Sequence, residues 1–145
     1  MATPSDRIAE AVAALPLREG LRVLEIGCGP GVAARAVLDR VGSAGFVLGI
    51  DRSATAIAQA IRGSTAGIAG GRLEFRVVAA EDFSLVPGES PFDLAFALRV
   101  GALDGRHPEA GAVALRRIAA ALRPGGRLFV DTGSPMAEIP LPQLS

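Results

Sequence analysis

The segment from Glu25 to Gly31 carries the residues best suited to chemistry. Its glycines have no Cβ, so the backbone can approach a ligand closely. An apolar run precedes the segment and an alanine-rich one follows, which predicts a buried strand, a glycine turn and a helix whose N-terminus faces the ligand. The acid suits a cationic ligand better than a phosphate. The residues predicted to bind the ligand here are Glu25, Gly27, Cys28, Gly29 and Gly31.

A second carboxylate, Asp51, ends the next apolar run, residues 46–51. An acid at the carboxyl end of a parallel strand faces the ligand crevice and can accept hydrogen bonds from two ribose hydroxyls. Asp51 could also cap the helix that begins near Ser53, and the two roles are compatible. Arg52 follows directly and is predicted to bind the same ligand.

The only histidine, His107, ends a glycine-punctuated stretch that also holds Arg99, Asp104 and Arg106. Histidine is the side chain best suited to act as a general base near neutral pH. His-Pro before a helix more often forms an exposed turn, and we favour that interpretation over catalysis. Arg99 could bind a carboxylate of the substrate or pair with Asp104. This loop is the candidate substrate-binding segment.

Apolar runs and helical stripes alternate along the chain, which predicts a parallel sheet with helices on both faces. A Pro-Gly-Gly turn at 124–126 is predicted to lead into the last strand, and the proline-containing residues 133–145 are predicted to form an extended tail after one domain, 1–132. Helices are predicted at 5–15, 32–41, 54–62 and 108–122, and strands at 21–26, 46–51, 73–78, 92–98 and 127–131.

The composition narrows the possible functions. The chain has 145 residues, enough for one domain, and a net charge of zero, which argues against binding to nucleic acid or an anionic membrane. Its single cysteine, Cys28, excludes an internal disulfide and a cysteine-based metal cluster, and without a neighbouring base we expect no nucleophilic role for it. Abundant alanine, glycine and arginine without lysine suggest a bacterial source, and a cytoplasmic location is expected.

The segment from Val23 to Gly31 resembles the first motif of class I S-adenosylmethionine (SAM)-dependent methyltransferases. The rival interpretation, a dinucleotide-binding turn, requires Gly-x-Gly-x-x-Gly, whereas this chain has Gly-x-Gly-x-Gly followed by Val32. Further segments resemble the same family in the same order: the strand ending at Asp51, and residues 79–83, 91–100 and 122–128.

The resemblance implies a three-layer, Rossmann-like α/β fold. Its mainly parallel sheet would have about five strands in the order 3-2-1-4-5, without the sixth and seventh strands usual in the family. The fifth strand would then be an open edge, which is a liability for solubility. We expect either the tail or a second copy of the chain, in a homodimer, to cover that edge.

The resemblance also implies roles for residues after the third and fourth strands. In the family, an acid after the third strand binds the adenine amino group, and the next apolar residue packs on the adenine ring. Asp82 followed by Phe83 fits this pattern best, and Glu81 is a competing choice. Ala97, near the end of the fourth strand, would lie beside the transferable methyl group. The Asn/Asp-Pro-Pro-Tyr/Phe signature of DNA-adenine and glutamine methyltransferases is absent, which argues against those acceptors.

The implied activity is methyl transfer from SAM to an oxygen or nitrogen of a small molecule by in-line displacement, leaving S-adenosyl-L-homocysteine. His107 or water would take the proton from an oxygen acceptor. The alternative is a non-catalytic SAM-binding domain that acts through a protein partner. The missing strands favour this alternative, and the intact cofactor segments oppose it.

Overall fold

The computed structural model of the chain describes residues 5–98, 100, 103, 107–132 and 136–143. Its strands form one sheet in the order β3-β2-β1-β4-β5-β6, parallel except for β6. The predicted fold class and the order 3-2-1-4-5 are therefore confirmed. The elements are α1 (Asp6–Ala14), β1 (Arg22–Ile26), α2 (Val32–Val41), β2 (Phe46–Asp51), α3 (Ala54–Arg62), α4 (Thr65–Ala69), β3 (Leu73–Val77), a 3₁₀ turn (Ala80–Asp82), β4 (Phe92–Ala97), α5 (Pro108–Ala121), β5 (Leu122–Val130) and β6 (Ala137–Ile139).

Apolar cores lie on both faces of the sheet. Because successive side chains of a strand point to opposite faces, Val23 of β1 packs with α1, α2 and α3, and Leu24 packs with α5. Both residues are fully buried. Burial on both faces explains why the central strands read as continuous apolar runs rather than as alternating ones. The central strands are thus held rigidly, and their carboxyl ends can support a site.

The helices begin where the sequence provides caps. The Ser5 hydroxyl accepts a hydrogen bond from the Ile8 amide at 3.3 Å, and the Ser53 hydroxyl accepts one from the Ala56 amide at 3.1 Å. Pro108 opens α5. The short helix α4 was not predicted, because its five residues give too little periodicity. No helix in the described part of the chain is long and apolar enough to cross a membrane.

The Pro-Gly-Gly segment forms an irregularity inside β5 rather than a turn that precedes it. Leu122 pairs with Phe92, and the next pair in register joins Arg127 to Leu94. The β5 residues between these two pairs outnumber those of β4, so the chain of β5 bends away from the sheet. Gly125 lies in this bend with a φ of +84°, which glycine adopts without strain. The fifth strand is therefore longer than predicted, although its apolar end lies where the sequence placed it.

The prediction of a purely extended tail is wrong. Ala137–Ile139 forms β6, which pairs antiparallel with β5. Arg127 Nη2 lies 2.7 Å from Glu138 Oε1 across this pair. The apolar end of β5, Leu128–Val130, therefore has a partner strand on each side. A homodimer through the fifth-strand edge stays a prediction. The other expectation, that the tail covers the edge, is confirmed.

Candidate functional site

A cavity of about 600 Å³ lies at the carboxyl ends of β1, β4 and β5, beneath α1. Ligands of open α/β sheets bind in this position, outside the carboxyl ends of the strands. Most of its lining comes from α1 and from the turn after β1. The lining residues are Ser5, Arg7, Ile8, Glu10, Ala11, Glu25, Gly27, Cys28, Gly29, Pro30, Val32, Ala33, Leu98 and Asp131.

The glycine turn (Gly27–Gly31) owes its shape to three residues in the left-handed region. Gly27, Gly29 and Gly31 have φ values of +69°, +52° and +87°. A Cβ on Gly27 would lie 2.5 Å from Val100 Cγ2, whereas a Cβ on Gly29 would meet no atom within 4 Å. The turn therefore needs glycine for its backbone conformation at all three positions, and Gly29 leaves open space on the cavity side.

Backbone hydrogen bonds fix this turn to the next strand. The Cys28 amide donates to the Ile50 carbonyl at 2.9 Å, and the Gly31 amide donates to the Cys28 carbonyl at 3.0 Å. The Gly29 amide donates to Asp51 Oδ2 at 2.9 Å. The turn is thus held in shape without a ligand, which lowers the entropy cost of binding one.

Glu25 is the most unusual side chain of the cavity, because it is an acid only 2% exposed. The Ala34 amide, in the first turn of α2, hydrogen-bonds its carboxyl group. Among the described residues, its Oε1 atom has no hydrogen-bond partner. Burial raises the pKa of Glu25 well above its usual value, and the nearby Asp51 raises it further. A buried acid with an unused acceptor is suited to binding a cationic donor.

Asp51 makes the contact at the cap of α3 that was considered from the sequence, and its ribose-binding role stays a prediction. Its Oδ1 accepts from the Ser53 amide at 2.8 Å, at the cap of α3, and its Oδ2 accepts from Gly29. A carboxylate offers about four acceptor positions, so two remain for a ligand hydroxyl pair. Asp51 therefore also shapes the glycine turn, through its contact with the Gly29 amide.

The predicted adenine-binding residues separate into two groups. Arg52 Nη2 lies 3.2 Å from Glu81 Oε1, and Asp82 is exposed on the same 3₁₀ turn. Phe83 is only 1% exposed and packs in the core shared with α5. Its ring therefore has no open face for an adenine ring, because it anchors the 3₁₀ turn to the core. The burial of Phe83 argues against its predicted role, and the adenine-binding roles of Glu81 and Asp82 stay predictions.

The predicted site residues at and after the end of β4 lie in the core, at the surface or outside the described residues. Ala97 is 1% exposed and faces the core shared with α5, so the next residue, Leu98, faces the cavity instead. His107 is exposed at the cap of α5, where its side chain makes no capping hydrogen bond. The predicted substrate residues Arg99, Asp104 and Arg106 lie outside the described residues.

Two cavity residues, Arg7 and Asp131, were missed from the sequence. Arg7 Nη2 lies 2.6 Å from Asp131 Oδ2, which joins α1 to the carboxyl end of β5 across the cavity. The side chains are 53% and 12% exposed, respectively. The rule that identified Asp51, an acid at the end of a parallel strand, would also have found Asp131. No sequence signal identifies Arg7, because only the packing of α1 brings it there.

Cys28 is buried in the glycine turn. It is 5% exposed, and burial, with help from Glu25 and Asp51, raises the pKa of its thiol strongly. A thiol that does not ionise is neither a nucleophile nor a metal ligand.

A parallel sheet with a glycine turn after β1 and acids at the ends of β1 and β2 defines a protein that binds a nucleoside cofactor. The methyltransferase domain family matches residues 23–126, and the chain belongs to the class I SAM-dependent methyltransferases. The cofactor of that family is SAM, as the sequence predicted.

Similar proteins agree on this family. Protein-L-isoaspartate O-methyltransferase from Methylorubrum populi is 38% identical over 128 residues, which cover 88% of this chain and 52% of that protein. The chain thus spans about half the length of the curated relatives it matches. A SAM-dependent methyltransferase from Thiobacillus denitrificans, solved with S-adenosyl-L-homocysteine, has a TM-score of 0.67 and 26% identity, covering 88% of this chain and 48% of its own.

One similar structure contains a protein partner. It is a Haloferax volcanii complex between a methyltransferase activator and a methyltransferase, with a TM-score of 0.67 and 28% identity. The match covers 86% of this chain and 50% of that chain.

Proposed function

We propose that this chain binds SAM in the cavity beneath α1 and transfers its methyl group to an acceptor. The observation that carries the proposal is Glu25, a buried acid on the cavity with an unused oxygen. SAM and its product both carry an α-ammonium group, which can donate a charge-assisted hydrogen bond to that oxygen. Few other ligands of a nucleoside site offer a cation at this end.

The glycine turn would hold the amino-acid half of the cofactor, since its backbone lines the cavity beside Glu25. Asp51 would bind the ribose with its remaining acceptor positions. Glu81 or Asp82 would bind the adenine amino group, and Arg52 would keep Glu81 in place through their ion pair. The lining of the cavity by Glu25 and the glycine turn supports the proposal at the amino-acid end of the cofactor.

When bound, SAM would supply a methyl group on a sulfonium. The acceptor would bond to the methyl carbon as the carbon–sulfur bond breaks, with S-adenosyl-L-homocysteine as the leaving group. That reaction depends on alignment and exclusion of water more than on catalytic groups. Leu98 and α1 would exclude water, because both line the cavity. His107 or solvent would accept the proton from a hydroxyl acceptor.

We propose a small molecule as the acceptor, reached over the loop before α5. A second candidate, a carboxylate in a protein, is favoured by the 38% identity to a protein-L-isoaspartate O-methyltransferase. The two differ in chemistry, because a carboxylate is already ionised at neutral pH and needs no base. If His107 takes the proton, a His107→Ala variant should lose activity toward a hydroxyl acceptor and keep activity toward an isoaspartyl peptide. Unchanged activity toward a hydroxyl acceptor would assign the proton to solvent.

The cofactor proposal is tested by calorimetric titration with S-adenosyl-L-homocysteine and with 5′-methylthioadenosine, which lacks the amino-acid end. We expect S-adenosyl-L-homocysteine to bind at least about tenfold more tightly, from the Glu25 interaction. Equal affinities would contradict the proposed role of Glu25. Binding without methyl transfer to either acceptor class would favour the non-catalytic alternative, a SAM-binding domain that works with a protein partner.

A further inference from the structure

Arg35, on the second turn of α2, ties the glycine turn to the start of α4. Its Nη1 donates to the Pro30 carbonyl at 3.0 Å and to the Ser64 hydroxyl at 2.9 Å. Ser64 is only 4% exposed, so its hydroxyl depends on a protein partner. A guanidinium makes stronger hydrogen bonds than a neutral donor. One side chain thus connects the cofactor cavity to an element outside it.

Two glycines leave the space that this guanidinium occupies. A Cβ on Gly31 would lie 3.0 Å from Arg35 Nη1, and a Cβ on Gly63 would lie 2.9 Å from the same atom. Gly63 has a φ of −84°, which any residue adopts, so its backbone does not require glycine. The absence of a side chain at Gly63 is therefore explained by the position of Arg35.

Within the described residues, Pro30 is the residue of the glycine turn whose backbone groups make no hydrogen bond to another backbone group. Its neighbours Cys28, Gly29 and Gly31 each donate an amide hydrogen bond to a fixed acceptor. Pro30 has no amide hydrogen to donate, and its carbonyl is held by Arg35. Without Arg35, the peptide between Pro30 and Gly31 would keep only the Gly31 amide hydrogen bond to the Cys28 carbonyl. Its conformation would then be less fixed, because Gly31 tolerates a wide range of conformations.

We propose that Arg35 is a positioning residue that presets the glycine turn for the cofactor. This inference rests on the proposed function, because it assumes that the turn binds SAM. The affinity of a site falls in proportion to the fraction of molecules that hold the binding conformation. If loss of Arg35 leaves about one molecule in ten with the turn in place, the apparent Kd rises about tenfold.

The test compares S-adenosyl-L-homocysteine affinity, by calorimetry, with the melting temperature of each variant. Arg35→Met should raise the Kd about tenfold, and Arg35→Lys should recover part of the loss because lysine still reaches one acceptor. Gly63→Ala should act in the same direction by displacing the guanidinium. Arg40→Met, an exposed change on the same helix, is the matched control and should leave the Kd unchanged.

A lower melting temperature with an unchanged Kd in Arg35→Met would overturn the inference, because Arg35 would then only stabilise the fold. Failure of the wild type to bind S-adenosyl-L-homocysteine would overturn the proposed function instead. In that case amide hydrogen exchange of Gly31, without ligand, decides about Arg35. Faster exchange in Arg35→Met than in Arg40→Met supports the positioning role, and equal exchange rejects it.

Discussion

Replacing Glu25 with glutamine should raise stability and weaken cofactor binding at the same time. The acid is buried, and one of its oxygens has no partner among the described residues. Glutamine has nearly the same shape, and its oxygen can still accept from the Ala34 amide. The change therefore removes the ionisable group while leaving the packing and the helix contact in place.

The stability effect has a definite sign with pH. Because the pKa of Glu25 is raised by burial, the unfolded chain loses its proton first, near pH 4.5, as pH increases. The folded state then holds more protons than the unfolded state, so rising pH destabilises the wild type. Relative to Glu25→Gln, the free energy of unfolding should fall by up to about 1.4 kcal/mol per pH unit above that point.

The binding effect is opposite. Loss of a hydrogen bond between charged groups costs about 1.5–3 kcal/mol, which weakens S-adenosyl-L-homocysteine binding by about 10- to 150-fold. Urea unfolding between pH 4 and pH 8 and calorimetric titration measure the two effects, with the exposed Glu19→Gln as control. A Glu25→Gln variant that binds as tightly as the wild type, or that shows the same pH dependence of stability, would refute the reasoning.

Three further changes test the fold around the site. Gly49→Ala should cost about 1–3 kcal/mol of stability in thermal unfolding, because the new Cβ would lie 2.8 Å from the Phe75 ring and 3.0 Å from Cys28 Cβ. The control Gly70→Ala should cost nothing in the same experiment, because its Cβ would have no atom nearer than 3.4 Å. Burial raises the pKa of Glu89, but its hydrogen bonds with Arg76 outweigh this and hold the pKa below the usual value. The wild type should therefore lose stability relative to Glu89→Gln as pH falls below about 4.5. A difference in urea midpoint between the two proteins that is the same at low and at neutral pH would contradict this. A chain ending at residue 132 should self-associate in sedimentation experiments because the edge of β5 is then open, and a monomer of unchanged melting temperature would show that β6 is dispensable.

The sequence predicted the features that follow from periodicity and backbone chemistry. The central strands are buried on both faces, so they appear in the sequence as clear apolar runs. The glycines predicted a turn after the first strand, and the structure has that turn, with positive φ angles at Gly27, Gly29 and Gly31. Asp51 was predicted as a site residue because sheet topology determines that ligands bind at the carboxyl ends of parallel strands. These features depend on local sequence and on one general rule of sheet architecture.

The predictions from sequence fail where tertiary packing determines whether a strand forms or where a side chain lies. The three residues of β6 are too few to show alternation, and they form a strand only because β5 offers an open edge. Phe83 looked available for an adenine ring, but the core shared with α5 takes it. Arg7 lies more than a hundred positions from Asp131 in sequence, so only the packing of α1 reveals their ion pair.

The central claim is that the cavity binds SAM, and calorimetric titration with S-adenosyl-L-homocysteine, with NAD as control, tests it most directly. The chain has no tryptophan or tyrosine, which makes intrinsic fluorescence a poor alternative. We predict micromolar binding of S-adenosyl-L-homocysteine, none of NAD, and loss of binding in Asp51→Ala. A folded wild-type protein that binds neither ligand, or that binds NAD alone, would contradict the account.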